Sequence, residues 1–249
     1  MSRDPAAGRM GHLVIIRSER GGEGRTLIAH LLTAFLMDRG VDWYVFSSAA
    51  REIPQRSQNK QRFAAVNIHE TAEQVRFVDT IMRAPDAWTL LDLAQSDYRA
   101  FLDFCDYTGI IADLAENGVE TWSMRVYSQP LRDVRASFWP DCLVDAREIL
   151  VVNNSSPAHL RDWRSSPIRT ELTERRVPEF VLPRMDEGAI QHYLSQRLPL
   201  SEFLAKGGGS GKDVFARAQL AKLFQVFQPQ VAQLLLSRDL GRLSGPMFQ

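Results

Sequence analysis

A glycine-rich turn between an apolar run and a long helical pattern is the feature that most constrains the fold of this chain. The apolar run at 12–16 predicts a buried strand. The turn at 20–26 follows it, and the helical periodicity at 27–36 ends before Gly40, which can take a left-handed cap. A second apolar run at 43–46 predicts another strand. A strand, a crossover helix and a second strand predict the start of a parallel sheet.

The rest of the chain continues this alternation. The polar stretch 49–65 predicts a surface loop, and 98–117 predicts one helix that ends at Gly118. Four further apolar runs predict strands, at 89–93, 121–127, 148–154 and 180–183. Alternation over the whole length favours an α/β fold, with a doubly wound, mostly parallel sheet flanked by helices.

A glycine cluster separates the C-terminal part of the chain from this pattern. We therefore predict a domain over 1–205, a flexible linker or loop over 206–213, and an amphipathic C-terminal helix over 214–240. Apolar residues recur at three- and four-residue steps on one face of that helix, which predicts packing on the domain or on a partner. Pro229 predicts a kink or a break in it.

Composition disfavours several classes of function. The 249 residues contain 30 Lys plus Arg and 30 Asp plus Glu, so a general nucleic-acid or membrane coating is not expected. Cys105 and Cys142 form no CxxC pair, and the five histidines lack metal-ligand spacing, so neither a disulfide framework nor a zinc site is predicted. No run approaches the roughly 20 apolar residues of a membrane span. With no apolar signal core at the N-terminus, these features predict a cytoplasmic protein without a transmembrane segment.

The turn at 20–26 has the setting of a phosphate-binding loop, which has the pattern GxxxxGK[ST] between a strand and a helix. In that pattern the glycines let backbone N–H groups wrap phosphates, the lysine reaches the terminal phosphates, and the hydroxyl binds Mg²⁺. Here Gly24, Arg25 and Thr26 stand at the GK[ST] position, and Glu19 replaces the first glycine. A planar guanidinium is larger than an ammonium and donates in a fork. Two interpretations stay open: a nucleotide site, and a glycine-rich turn without a ligand.

The sequence Arg20-Gly21-Gly22-Glu23-Gly24-Arg25-Thr26 resembles the KGGxGK[ST] loop of the ParA/MinD family of P-loop ATPases, with both lysines replaced by arginine. The resemblance implies that ATP or ADP lies over this loop, and that Arg20 reaches the nucleotide of the partner in a homodimer. It implies that Thr26 and Asp92 hold Mg²⁺ and that Asn153 contacts the base.

The stretch 46–49 departs from the family, which has aspartates there that help to position the attacking water. This chain has no carboxylate at those positions, and Glu52 is the nearest substitute. Glu23 also adds a negative charge to a loop that binds anions in the family. The resemblance therefore implies at most a weak ATPase, and no catalytic residue is assigned.

Two functions follow from the resemblance. The stretch 98–118 is similar to the long helix of the TraL/StbB branch, whose members are encoded with conjugal-transfer and plasmid-stability functions. This implies a dimerising nucleotide switch in DNA segregation or conjugal transfer, with a DNA-binding or assembly partner. The alternative is a pseudo-ATPase scaffold in a multiprotein assembly, for example envelope or polysaccharide machinery. Arginines at 161–176 could contact DNA directly, but the acidic residues between them favour a mixed, solvated surface.

Overall fold

A seven-stranded parallel sheet organises the computed structural model, which describes residues 11–49, 59–128, 141–143, 146–153 and 157–235. Across the sheet the strands run in the order β3-β2-β4-β1-β5-β6-β7, and every neighbouring pair is parallel. The strands are β1 (Gly11–Ser18), β2 (Trp43–Ser47), β3 (Phe63–Ala65), β4 (Trp88–Asp92), β5 (Val119–Tyr127), β6 (Arg147–Asn153) and β7 (Glu179–Leu182).

Helices cover both faces of this sheet. On one face α1, α7, α8 and α9 pack against the strands, and α2 to α6 cover the other face. The helices are α1 (Arg25–Asp38), α2 (Thr71–Arg83), α3 (Tyr98–Thr108), α4 (Ile110–Glu116), α5 (Pro157–Arg164), α6 (Pro167–Glu174), α7 (Glu187–Ser195), α8 (Leu200–Ala205) and α9 (Gly211–Leu235). The predicted α/β fold with a doubly wound parallel sheet is therefore confirmed.

β1 lies at the centre of the sheet, between β4 and β5. From β1 the chain moves to one side to build β2, β3 and β4, and then to the other side to build β5, β6 and β7. In open α/β sheets, ligands bind at the carboxyl ends of the strands where the direction of winding changes. The loop after β1 therefore lies where this architecture places a ligand.

Two predicted elements differ from the structure on the α2–α6 face and at the sheet edge. Residues 63–65, predicted to be loop, form the edge strand β3, because Phe63 is buried against Trp43 and its backbone pairs with β2. Residues 50–58 of that predicted loop lie outside the described residues. The single helix predicted over 98–117 is divided into α3 and α4 at Gly109, whose φ of +67° is left-handed.

The C-terminal helix α9 begins at Gly211, so the last three residues of the predicted linker are helical. Ser210 and Asp213 form a capping box. The Asp213 carboxylate accepts the Ser210 backbone N–H at 2.7 Å, and Ser210 Oγ accepts the Asp213 N–H at 3.3 Å. A hydrogen bond from His192 holds the pKa of Asp213 well below its ordinary value.

The helix α9 continues through Pro229 without the predicted break. Phe227 and Val231, on either side of the proline, are fully buried in the domain core, and this packing holds both segments in one helix. Residues 236–240 of the predicted helix lie outside the described residues. The buried face of α9 packs with α7, α8, α1 and β7 and consists of Ala216, Leu220, Leu223, Phe227 and Val231.

The two cysteines are both free thiols. Cys105 is buried on α3, and this burial raises the pKa of its thiol. Cys142 lies in the short segment 141–143 and donates to the carbonyl of Leu102 at 3.8 Å. Among the helices of the described residues, none combines the length and the apolar character needed to cross a bilayer.

A cluster of charged side chains is buried on the α2–α6 face, beside the end of β1. The side chains of Arg17 and Arg125 are 3% and 1% exposed, and both ion-pair with Glu148, which is 4% exposed. Arg17 also donates to Ser123 Oγ at 3.0 Å, and Arg125 donates to the Tyr127 hydroxyl at 2.7 Å. Burial lowers the pKa of Arg17, with the neighbouring Arg125 as the second cause. Glu148, together with Glu19, which lies 3.4 Å from Arg17, balances the two buried guanidinium charges.

We expect Glu148→Gln to destabilise the fold by about 3 kcal/mol, because it leaves buried guanidinium groups with too little negative charge. The free energy of unfolding in urea would measure this loss. Asp103→Asn is the matched control, since the partner of Asp103, Arg99, is 78% exposed and surface pairs contribute about 0–1 kcal/mol. Equal stability of the two variants would contradict the prediction.

A second buried polar pair joins α1 to α7. His30 Nδ1 and the Tyr193 hydroxyl are 2.5 Å apart, and both residues lie inside the apolar core. Burial lowers the pKa of His30 from 6.5 to about 4, so the imidazole is neutral in the folded protein at neutral pH. The unfolded chain therefore binds a proton at His30 between these two pKa values, and the folded chain does not.

Acid should therefore weaken the fold through His30. Because the pKa is depressed in the folded state, stability is constant above pH 6.5 and falls as the pH drops towards 4. Between pH 7.5 and pH 5 the loss from this group is about 2 kcal/mol. Urea unfolding at both pH values measures this loss of unfolding free energy. In His30→Gln the difference between the two pH values should be smaller by about 2 kcal/mol. An identical pH dependence in the variant would refute the assignment.

Candidate functional site

The carboxyl ends of β1, β4 and β6 meet at one edge of the sheet. The loop after β1 leads into α1, Asp92 is the last residue of β4, and Asn153 is the last residue of β6. Parallel register brings these ends together although they are separated by more than 60 residues along the chain.

Gly24 sets the geometry at the start of α1. It is the N-cap residue, with a left-handed φ of +96°. A Cβ atom at this position would lie 2.5 Å from Asn153 Nδ2. That same amide nitrogen donates to the carbonyl oxygen of Glu23 at 2.9 Å. Glycine is required here both by the backbone conformation and by the close approach of Asn153.

The N-terminus of α1 follows the loop directly, at Arg25. Gly24 provides no side-chain cap, and the first turn contains no acidic residue. The first backbone N–H groups of a helix have no intrahelical partners, and the helix dipole places partial positive charge there. The start of α1 can therefore bind an anion such as a phosphate.

Arg25 does not stand free at this N-terminus. Its Nε donates to Asp92 Oδ1 at 2.5 Å, and its Nη1 donates to the carbonyl of Leu93 at 2.8 Å. The Arg25 side chain is 13% exposed and that of Asp92 is 2% exposed, so this ion pair is largely shielded from water. The guanidinium thereby ties the first residue of α1 to the end of β4.

The second oxygen of Asp92 is also engaged. Thr26 Oγ1 donates to Asp92 Oδ2 at 2.9 Å, and Ser47 Oγ lies 3.4 Å from the same oxygen. The structure thus brings together Thr26 and Asp92, the pair predicted to hold Mg²⁺, but it also places a cation, Arg25, on the carboxylate. Among the described residues, no group of three or more His, Cys, Asp or Glu side chains is arranged to hold a metal ion.

Glu23 is buried under the loop. Only 3% of the residue is exposed, while its neighbours Gly22 and Gly24 line the cleft above. Its carboxylate accepts the backbone N–H of Arg20 at 3.3 Å. Burial raises the pKa of Glu23, and backbone N–H groups of Arg20, Ser128 and Glu19 oppose that rise. The Glu23 side chain therefore holds the start of the loop through the backbone N–H of Arg20.

A cleft of about 800 Å³ lies over the loop. One wall is formed by Gly22, Gly24 and the first residues of α1, together with Asn153. The opposite wall comes from the segment after β7 and from α7 and α9, and it consists of Arg184, Met185, Asp186, Glu187, Ile190, Gln191, Leu194 and Gln219. The volume is in the range of pockets that hold small molecules and cofactors.

The residues of this second wall are not among those that the sequence predicts for the site. The available signal was the position of Arg184, directly after the strand predicted at 180–183, at the same edge of the sheet as Asp92 and Asn153. The contributions of α7 and α9 could not be found in this way, because they depend on how the helices pack. The predicted partner-reaching residue, Arg20, is exposed, and Glu52 lies outside the described residues.

Comparisons with known proteins find similar structures. No family model and no curated protein matches the sequence. A nucleotide-binding protein from Archaeoglobus fulgidus, in complex with ADP, has 12% identity and a TM-score of 0.46, over 89% of this chain and 93% of that chain. A ParA family ATPase from Chlorobium tepidum TLS has 12% identity and a TM-score of 0.48, over 88% and 99%. At 12% sequence identity, these similarities concern the backbone fold alone.

Replacing Gly24 by alanine should distort the loop. A left-handed backbone costs a non-glycine residue about 1–3 kcal/mol, and the new Cβ would also push Asn153 away from Glu23. Gly21→Ala is the matched control, because nothing lies within 4 Å of a Cβ there. Urea unfolding should show a loss of about 1–3 kcal/mol for Gly24→Ala alone. Equal losses in both variants would argue against a special role for Gly24.

Proposed function

We propose that this chain binds a purine nucleotide through its phosphates at the loop 20–26, and that the bound nucleotide switches its association with partners. The observation that supports this most is the position of the α1 N-terminus at the cleft, with no side-chain cap from Gly24 and no acidic residue in the first turn. There the backbone N–H groups and the helix dipole favour a phosphate, and Arg25 has N–H donors beyond the two that it gives to Asp92 and Leu93.

The composition of the cleft suits the two chemical parts of a nucleotide. The loop and Arg25 offer N–H donors to phosphate oxygens. On the opposite wall the apolar side chains of Met185, Ile190 and Leu194 offer contacts to a base. Asn153 and Gln191 add groups that can both donate and accept hydrogen bonds.

The biological role that we propose is a dimerising ParA-like switch in the cytoplasm, acting in DNA segregation or conjugal transfer. Arg20, exposed at the start of the loop, is proposed to contact the nucleotide of the partner subunit. A direct DNA contact through the arginines at 161–176 has less support. Two of them, Arg169 and Arg175, are ion-paired with Glu179 and Glu148 in the domain.

A pseudo-ATPase scaffold is the second candidate, and the environment of Asp92 favours it. Both carboxylate oxygens of Asp92 are occupied by side chains of the chain itself. In addition, the stretch 46–49 at the end of β2 offers no carboxylate to position a water. Under this proposal the site holds the fold together, and the chain serves an assembly without turnover.

Thermal unfolding with and without ATP, ADP or GTP separates the two candidates. A nucleotide at about 100 times its dissociation constant stabilises the folded state by about 2.7 kcal/mol. Each kcal/mol raises the melting temperature of a domain of this size by about 2–4 °C. We expect one nucleotide to raise the melting temperature of the unaltered chain by this amount. The same nucleotide should leave the melting temperature of the Arg25→Ala variant unchanged.

Arg83→Ala is the control for this experiment, since Arg83 is 82% exposed on α2 and should leave the nucleotide effect unchanged. No shift with any nucleotide at millimolar concentration would reject the nucleotide switch and leave the scaffold. A shift accompanied by phosphate release from ATP would reject the scaffold.

A further inference from the structure

The carboxylate of Asp92 already has a cation. Arg25 donates to one of its oxygens at 2.5 Å, and Thr26 donates to the other at 2.9 Å. Asp92 is 2% exposed, so water does not screen these contacts. A guanidinium does not lose its proton in proteins, and it therefore stays charged at every working pH. Mg²⁺ beside Asp92 would have to displace this cation or lie next to it.

The donors around Asp92 therefore do not fit a magnesium ion. Magnesium requires near-octahedral oxygen ligands and is usually held through one or two carboxylates. Here the buried carboxylate of Asp92 has its charge balanced by Arg25. A dication added to this pair would face repulsion from the guanidinium in a site with little water to screen it.

We propose that Arg25 takes the place of the metal, so that the site binds nucleotide phosphates without Mg²⁺. This inference rests on the nucleotide binding proposed above. A guanidinium has five N–H donors, and the contacts of Arg25 with Asp92 and Leu93 use two of them. Arg25 lines the cleft, and its remaining donors can contact phosphate oxygens while the ion pair with Asp92 is kept.

Arginine is suited to this double role and lysine is not. The planar fork of arginine donates in several fixed directions, so one side chain can join a carboxylate, a carbonyl and a phosphate. A lysine ammonium is a compact point charge at the end of a flexible stem. A lysine ammonium that contacted a phosphate would lose its contact with Asp92. The Asp92 carboxylate would then be available to a metal ion.

Isothermal titration of the full chain with ADP and with ATP tests the proposal, in buffer with excess EDTA and in buffer with millimolar Mg²⁺. We expect dissociation constants that agree within about threefold between the two buffers. Mg²⁺ alone should not raise the melting temperature. Arg25→Lys should acquire metal dependence, with binding at least about tenfold tighter in Mg²⁺ than in EDTA. Circular dichroism of Arg25→Lys checks that this variant folds. The comparison of the two buffers for the unaltered chain does not depend on this variant.

The outcomes separate this inference from the function on which it rests. Binding that is at least tenfold weaker in EDTA would overturn the metal-free site and leave nucleotide binding intact. Absence of binding in both buffers would overturn the nucleotide switch itself, and the metal-free site with it. Equal binding in both buffers, together with a metal-dependent Arg25→Lys variant, is the result that the geometry predicts.

Discussion

The complete burial of β1 is the constraint on which the rest of the structure depends. All eight residues of this strand are buried, and hydrogen bonds join it to β4 and β5 on its two sides. Its polar side chains must therefore be satisfied inside the protein. His12 accepts from the indole of Trp122, and Arg17 is held by Ser123 and Glu148. The position of β1 in turn fixes where the loop to α1 emerges.

The site at the end of β1 is organised by charges of the chain itself. Glu23 supports the loop from below through backbone N–H groups, and Asn153 holds the carbonyl of Glu23 from the side. Arg25 and Thr26 fasten the start of α1 to Asp92. These contacts define the loop conformation, and they give the metal-free proposal its physical basis.

Patterns of neighbouring residues predicted most of the sheet, because a buried parallel strand is a short apolar run wherever it occurs. β3 was missed for the opposite reason: a three-residue edge strand of Phe63, Ala64 and Ala65 carries too little pattern to stand out. The division at Gly109 was missed because Gly118 offered an equally good helix end. At the start of α9, the capping box of Ser210 and Asp213 was hidden by the glycines before it.

The sequence by itself determined six of the seven strands, the glycine-rich loop between β1 and α1, and the residues at the strand ends. These features are local, since the apolar pattern of a buried strand and the backbone conformation of a turn are each set by a few neighbouring residues. Only the tertiary structure decided that Arg25 pairs with Asp92, that Glu23 points under the loop, and that α7 and α9 close the cleft. Such contacts join parts of the chain that are far apart in sequence. Their geometry depends on the packing of the whole domain, which no local pattern encodes.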